Sequence, residues 1–497
     1  MKSFKINFTL VLSVLFSCLI VTSCTDKWVE HNGADNPLLG ETLFQQISKN
    51  PELSKFSEYL VKTEYDKVLS SSKLFTVWAP TNDALAGLSQ DIINDDEKLE
   101  QFVANHISNQ SYQTTGLNEP RRIKVLSGKY LTFSQSSIDE VSLAKSNQVV
   151  GNGVFHIING VLEPKQNAWE ALNGLTSIGL AQKAYLQSIN YEQFDQARST
   201  QTGINANGQP VYDSVFVVKN GFLQNVADLT DESKQYTFIV LTDQAFEDQQ
   251  NKLSKFYKLT TTTTGLDSTA RYARANLVKD LVFSGYYKAD AFPGVVYSRD
   301  SVKVNLNAAN IVETHKVSNG VVYVMDNISY DLADKFRPIM VQGERPIAAL
   351  NNRAYTVRTR KDPFGVIFND ILVENHGINA LWYQYRPVLN SVTYNVYWRI
   401  VRDFTLVPAV GQTSLVNFPQ KIVFGALPTA AGFGYKPAPV INEGNNKFSP
   451  DYEEKLLGQL VVDKYGSMSM YLVGNTVTTN AQNTILLDYV KLVPVLN

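Results

Sequence analysis

Cysteine is nearly absent from this chain: Cys18 and Cys24 are the two in 497 residues. That excludes a disulfide-stapled scaffold and any multi-cysteine zinc or iron–sulfur centre. Only five histidines are present, and they are scattered, which argues against a histidine-rich metal site. Charge of one sign is lacking too. Lys and Arg total 45 against 47 Asp and Glu, a net charge of -2. With no basic excess to neutralise phosphates, no nucleic-acid partner is expected. HExxH, Gly-x-Ser-x-Gly and Walker motifs are all missing. What is present is core-forming material: 44% hydrophobic and 19% charged residues, a composition that folds. At about 150 residues per domain the length predicts roughly three domains.

The N-terminus reads as a targeting signal. Lys2 and Lys5 form a short positive region before the apolar run Phe8 to Val21. Fourteen residues are too few for a bilayer core, which takes about twenty in a helix. The run ends Val21-Thr22-Ser23-Cys24, which resembles a bacterial lipobox. Cleavage before Cys24 would remove Cys18 and leave one thiol in an oxidising compartment, and acylation accounts for it. Several acyl chains on Cys24 would give a stable membrane anchor. Thr25 to Pro37 is polar and aperiodic, a tether reaching at most about 45 Å.

The body contains a repeat. Thr76 to Leu85 (TVWAPTNDAL) is matched by Thr237 to Phe246 (TFIVLTDQAF), 161 residues on. Asn152 to Val161 (NGVFHIINGV) is matched by Asn319 to Ile328 (NGVVYVMDNI), 167 residues on. Two motifs in the same order at nearly equal offset predict a duplicated domain. The first block is a β-rich apolar run stopped at Thr81, whose hydroxyl can cap a following helix. The second opens with an Asn-Gly turn and runs into an apolar strand. Between them, Leu99, Phe102, Val103 and Ile107 have helical spacing. Asp95-Asp96-Glu97 reads as a solvated helix start, since acids favour helix N-termini. His106 and His156 read as packed, hydrogen-bonded core histidines.

These blocks resemble the fasciclin domain over roughly residues 38 to 330. The second copy diverges, with Leu241 for Pro80, Tyr323 for His156, an insertion around Thr260–Thr264 and a long non-repeat element from Tyr185 to Lys219. The resemblance implies a compact α+β domain and adhesion without catalysis. The acid of the integrin-binding Asp-Ile pair in animal relatives is missing: Asn147-Gln148 and Thr314-His315 stand there.

From about Ala333 strands alternate with polar turns. In Ser391 to Val401, Val392, Tyr394, Val396, Trp398 and Ile400 share one face, and Asn395, Tyr397 and Arg399 the other. This pattern predicts an all-β sandwich or jelly roll, and the last strand is similar to that of galactose-binding-like jelly rolls. The third is rich in aromatics. Trp382, Tyr383, Tyr385 and Tyr397, with Asn395 and Arg399, are candidates for a ligand platform in which a sugar stacks on exposed rings. Asp488 reads as a surface or capping residue rather than a calcium ligand.

The expected architecture is therefore α+β, two tandem fasciclin-like domains followed by an all-β sandwich. The expected segments are a signal peptide (1–23), an acylated Cys24 with tether (24–37), fasciclin-like domains (38–166 and 167–332) and the sandwich (333–497). The expected role is a non-catalytic, outer-membrane lipid-anchored envelope protein that binds a protein or glycan, without cofactor or metal. The alternative is an accessory carbohydrate-binding protein that captures glycan beside an outer-membrane transporter.

Overall fold

The computed structural model describes residues 40–259, 263–402, 418–444, 447–478 and 482–496. The signal peptide, Cys24, the tether and part of the Thr260–Thr264 insertion lie outside the described residues. The chain divides into two compact units, Met1–Asn167 and Ala168–Asn497.

Unit 1 is built on a seven-stranded sheet. Its centre is the parallel pair Phe75–Pro80 and Gly153–Ile158, in register from Phe75 opposite Gly153 to Pro80 opposite Ile158. All six residues of both strands are buried, so they read as continuous apolar runs rather than alternating ones. The Asn-Gly turn at 152–153 lets Val141–Val150 return antiparallel beside Gly153–Ile158. Helices cover one face. Asp95 caps Asp96–Ala104 by accepting from the Glu97 and Lys98 amides, and Leu99, Phe102 and Val103 point into the core. The Thr81 hydroxyl accepts from the Ala84 amide and opens a short 3-10 turn.

Unit 2 begins with the same frame. Tyr236–Leu241 pairs parallel with Gly320–Met325, from Tyr236 opposite Gly320 to Leu241 opposite Met325. The local chemistry repeats as well. Thr76 Oγ1 donates to Gln110 O and accepts from Tyr112 N, while Thr237 Oγ1 donates to Gly285 O and accepts from Tyr287 N. Gly153 and Gly320 sit at φ 151° and 137°, and a Cβ there would lie 2.0 and 1.9 Å from the carbonyl oxygens of Phe75 and Tyr236. Only glycine allows two strands to approach so closely at such a backbone angle. Thr242 caps Asp243–Ser254 as Thr81 caps its turn.

The remainder of unit 2 is mostly strands, with antiparallel pairing throughout its described ladders. A four-stranded sheet runs Ile339–Gln342, Tyr489–Pro494, Thr393–Arg399, Lys455–Val461. A five-stranded sheet is centred on Trp382–Tyr385 and Met470–Val473. The α+β frames and the following β-rich region agree with the architecture expected from the sequence. The β-rich region has its own apolar core, and it is joined to the second frame by backbone bonds. Ser391 N donates to Phe256 O (2.9 Å) and Tyr465 N to Lys258 O (2.6 Å), with the Tyr257 and Tyr465 rings edge to face at 5.1 Å.

Candidate functional site

The alternation in Thr393–Arg399 places Tyr394, Val396 and Trp398 in the core, as the stripe predicts. The ligand-platform residues scatter. Tyr383 and Tyr385 are buried, 0% and 2% exposed, with hydroxyls donating to Arg353 O, Ala354 O and Gly343 O. They offer no ring face to a ligand, which corrects their place in the platform. The physical reason is that Trp382–Tyr385 is a central strand with apolar residues on both faces, and the tyrosine side is the one sealed. Trp382 is half-buried on the opposite face, edge to face with Tyr471 at 5.4 Å. Asn395 is half-buried and accepts from Gln459 Nε2; Tyr397 is half-buried beside it on the same face.

Arg399 shares that strand face but is 8% exposed and ion-paired. Its Nε donates to Tyr452 O (2.8 Å) and one terminal nitrogen donates to Asp488 Oδ2 (2.6 Å). The other terminal nitrogen lies 3.5 Å from Asp362 Oδ2. Asp488, read from sequence as a surface or capping residue, is 2% exposed, and burial pushes its carboxyl up to about 6 despite the Arg399 bond.

These groups open onto a cleft of about 590 Å³, within the range of ligand pockets. Arg345, Arg399, Glu344, Asp362 and Asp488 supply its charges; Asn369 and Gln342 add amides; Phe368, Ile367, Met340 and Tyr489 give it an apolar side. Glu344 Oε2 is buried without a hydrogen-bond partner. The Phe368 ring has the guanidinium carbons of Arg399 and Arg360 at 4.5 and 5.4 Å from its centroid. Behind it Asp370, fully buried, takes a bidentate bond from Arg358 (2.8 and 2.7 Å) and a third from Arg360 (3.1 Å). Phe368→Ala is expected to cost unit 2 about 1–2 kcal/mol, the combined loss of ring packing and cation–π contact. Urea denaturation read by tryptophan fluorescence checks it.

Of the cleft residues only Arg399 was a candidate ligand residue in the sequence, and Asp488 was read there as a surface or capping residue. The others come from separate segments and meet only through long-range pairing. Among the described residues no group of three or more His, Cys, Asp or Glu is placed to hold a metal ion.

Residues 51–164 match the fasciclin domain family, and this stretch of the chain is a fasciclin domain. A structural likeness is to the FAS1 domain pair of the insect cell adhesion molecule fasciclin I. It has 14% identity and a TM-score of 0.22, covering 58% of this chain and all of that one. Other likenesses are to a GH26-CBM35 β-(1,4)-mannanase of Podospora anserina (12% identity, TM-score 0.20, 32% of this chain, 28% of that one). A CBM36-1 domain of a xylanase from a Trinervitermes trinervoides hindgut metagenome gives 15% identity and TM-score 0.20, over 32% of this chain and all of that one.

Proposed function

We propose that this chain is a non-catalytic envelope lipoprotein that binds protein or glycan partners at the bacterial surface. In this reading acylated Cys24 fixes it to the outer membrane, residues 24–37 act as tether, and the folded units present binding surfaces outward. The observation that carries it is the fasciclin frame, present at 51–164 and built a second time around Tyr236–Leu241 and Gly320–Met325. The test is direct. In cells expressing the full chain, proteinase K added outside should digest it, and Cys24→Ser should release it from the membrane fraction. Retention of the Cys24→Ser protein, or complete protection from protease, would overturn the anchored, outward-facing arrangement.

A second reading is glycan capture by the C-terminal sandwich beside an outer-membrane transporter. The cleft around Arg399 favours it, because donors, carboxylate acceptors and a half-buried ring converge there. The full chain in detergent should then retain a neutral polysaccharide on affinity electrophoresis, and Asn369→Ala should lose that retardation. Unchanged mobility with and without the polysaccharide would count against this reading and leave adhesion standing.

A further inference from the structure

The two fasciclin-type frames serve as controls for one another. Leu43 N donates to Asn152 and Ala168 N to Asn319, an offset of 125 residues along the chain. Leu69 O and Leu229 O accept from the same two asparagines at an offset of 160, so 35 residues have been inserted between. Most of the insertion is a two-stranded arm. Asn190–Phe194 pairs with Phe216–Asn220, and Thr200–Ile204 with Pro210–Asp213. Ordered insertions of this length in a compact frame are usual places for binding groups.

At the root of the arm lies a cavity of about 570 Å³, with no counterpart of its arm strands in the first frame. Trp169 and Asn173 reach it from Ala168–Gly174, Gln187 from Leu180–Ser188, and Asn190, Lys219 and Asn220 from the arm. Its hydrogen-bond accounts are uneven. Asn173 Oδ1 is spent on Gln187 Nε2 (2.9 Å), and Asn190 Oδ1 on Asn220 Nδ2 (2.7 Å). Asn220 Oδ1 is spent on the Phe222 and Leu223 amides. The amide groups of Asn173 and Asn190 and the ammonium of Lys219 are left as donors, against Gln187 Oε1 and one remaining lone pair each on Asn173 Oδ1 and Asn190 Oδ1 as acceptors, so donors are in excess. Lys219 is the one ionisable side chain among the lining residues. The pocket therefore offers donors, a positive charge and the half-buried indole of Trp169.

We propose that this pocket binds a sugar residue bearing a carboxylate, a uronic acid. The apolar face of the pyranose lies on Trp169, the carboxylate meets Lys219, and ring hydroxyls take the Asn173 and Asn190 amides. Each part answers one surplus: a flat apolar surface for the indole, acceptors for the amides, and negative charge for the ammonium. The site is separate from the Arg399 cleft, where the carboxylates of Glu344, Asp362 and Asp488 outnumber the guanidinium groups of Arg345 and Arg399.

The experiment is isothermal titration of the full chain in detergent with a galacturonate trisaccharide and with its methyl ester, which keeps the ring and loses the charge. The acid is expected to bind and the ester to bind at least about tenfold more weakly. Lys219→Gln, at an exposed position, should weaken the acid by about tenfold and leave the ester unchanged. Phe368→Ala, in the cleft, should leave acid binding intact. Absence of acid binding, equal affinity for acid and ester, or indifference to Lys219→Gln would each overturn the proposal. Loss of binding in Phe368→Ala would overturn it as well, by moving the acid to the cleft. None of these outcomes bears on whether the chain is anchored at the surface.

Discussion

Acidification from pH 7 to pH 4 is expected to loosen unit 1 before unit 2, because unit 1 holds two histidines that are built to stay neutral. His106 is fully buried, with Phe102 and Phe56 rings at 4.6 and 5.6 Å. Its Nδ1 donates to Phe102 O (2.8 Å), and its Nε2 accepts from the Leu162 amide (3.0 Å). A proton added at Nε2 would point N–H against N–H. His156 is arranged in the opposite tautomer: Nε2 donates to Tyr112 O (2.9 Å), and Nδ1 accepts from the Asn147 amide (3.3 Å). The rings of Trp78 and Phe133 lie against it. Burial holds His106 down to about 4 and lowers His156 as well.

The sign follows from linkage. A base whose folded pKa is depressed binds protons more readily when unfolded, so its stabilisation is complete above about 6.5 and is lost as pH falls toward 4. For His106 alone that loss is about 3 kcal/mol, a large share of a domain's total of roughly 5–15 kcal/mol. His156 adds in the same direction. The second frame has neither residue. Tyr323 replaces His156 and donates its hydroxyl to Tyr287 O, the counterpart of Tyr112 O. Leu281 replaces His106, and its carbonyl accepts from Ile239 N as that of His106 accepts from Trp78 N. In the C-terminal β-rich region, burial holds His376 down to about 4 and pushes Asp488 up to about 6. On acidification the first destabilises and the second stabilises, so they offset.

Hydrogen exchange read by mass spectrometry at pH 7 and pH 4.5 decides the matter, after correction for intrinsic exchange rates. Protection should fall across residues 75–158 and hold across 236–325. His156→Tyr, the residue the second frame uses, should reduce the loss. Equal protection of the first frame at both pH values would show that its histidines do not govern its acid stability.

The duplication was legible because its signals are short-range. An Asn-Gly turn, a capping Thr and an unbroken apolar strand can be read from ten residues, and they recur in order. The core stripe of Tyr394, Val396 and Trp398 was legible for the same reason: alternation states which residues share a face. It does not state which face is covered. For Trp382–Tyr385 both faces carry rings, and the wrong tyrosines looked available. The cleft was illegible for a different reason. Asp488 reads locally as an acid in a final strand; its role depends on Arg399, 89 positions away, arriving in the neighbouring strand. A buried pair of this kind has no signature in either segment. The pocket below Trp169 is likewise assembled from two helices and an arm, of which sequence reading located only the arm, as a stretch that did not repeat.

Asn152→Ala is expected to be among the most damaging single substitutions in unit 1, and Asn319→Ala to have the same effect, slightly smaller, in the second frame. The Asn152 amide holds three backbone groups. Its Oδ1 accepts from Leu43 N (2.7 Å), and its Nδ2 donates to Leu69 O (2.8 Å) and Ser71 O (2.7 Å). One buried side chain thus ties the start of the helix Leu43–Lys49 and the end of the helix Tyr65–Leu69 to the turn that begins Gly153–Ile158. Asn319 makes the matching set to Ala168 N (2.9 Å), Leu229 O (2.9 Å) and Asp231 O (3.4 Å), the last a longer bond. Alanine would leave backbone groups buried without partners, at about 1–3 kcal/mol each. The totals are roughly 3–5 kcal/mol for Asn152→Ala and 2–4 kcal/mol for Asn319→Ala. Asn152→Asp separates hydrogen bonding from packing. It keeps the shape and the acceptor for Leu43 N but turns an oxygen toward two carbonyls, so it should destabilise at least as much as alanine. Urea unfolding of all three variants supplies the values. If Asn152→Asp proves as stable as the parent, the asparagine is filling space rather than clamping the backbone. The repetition of its three bonds in the second frame would then reflect shared ancestry and not a shared mechanical requirement.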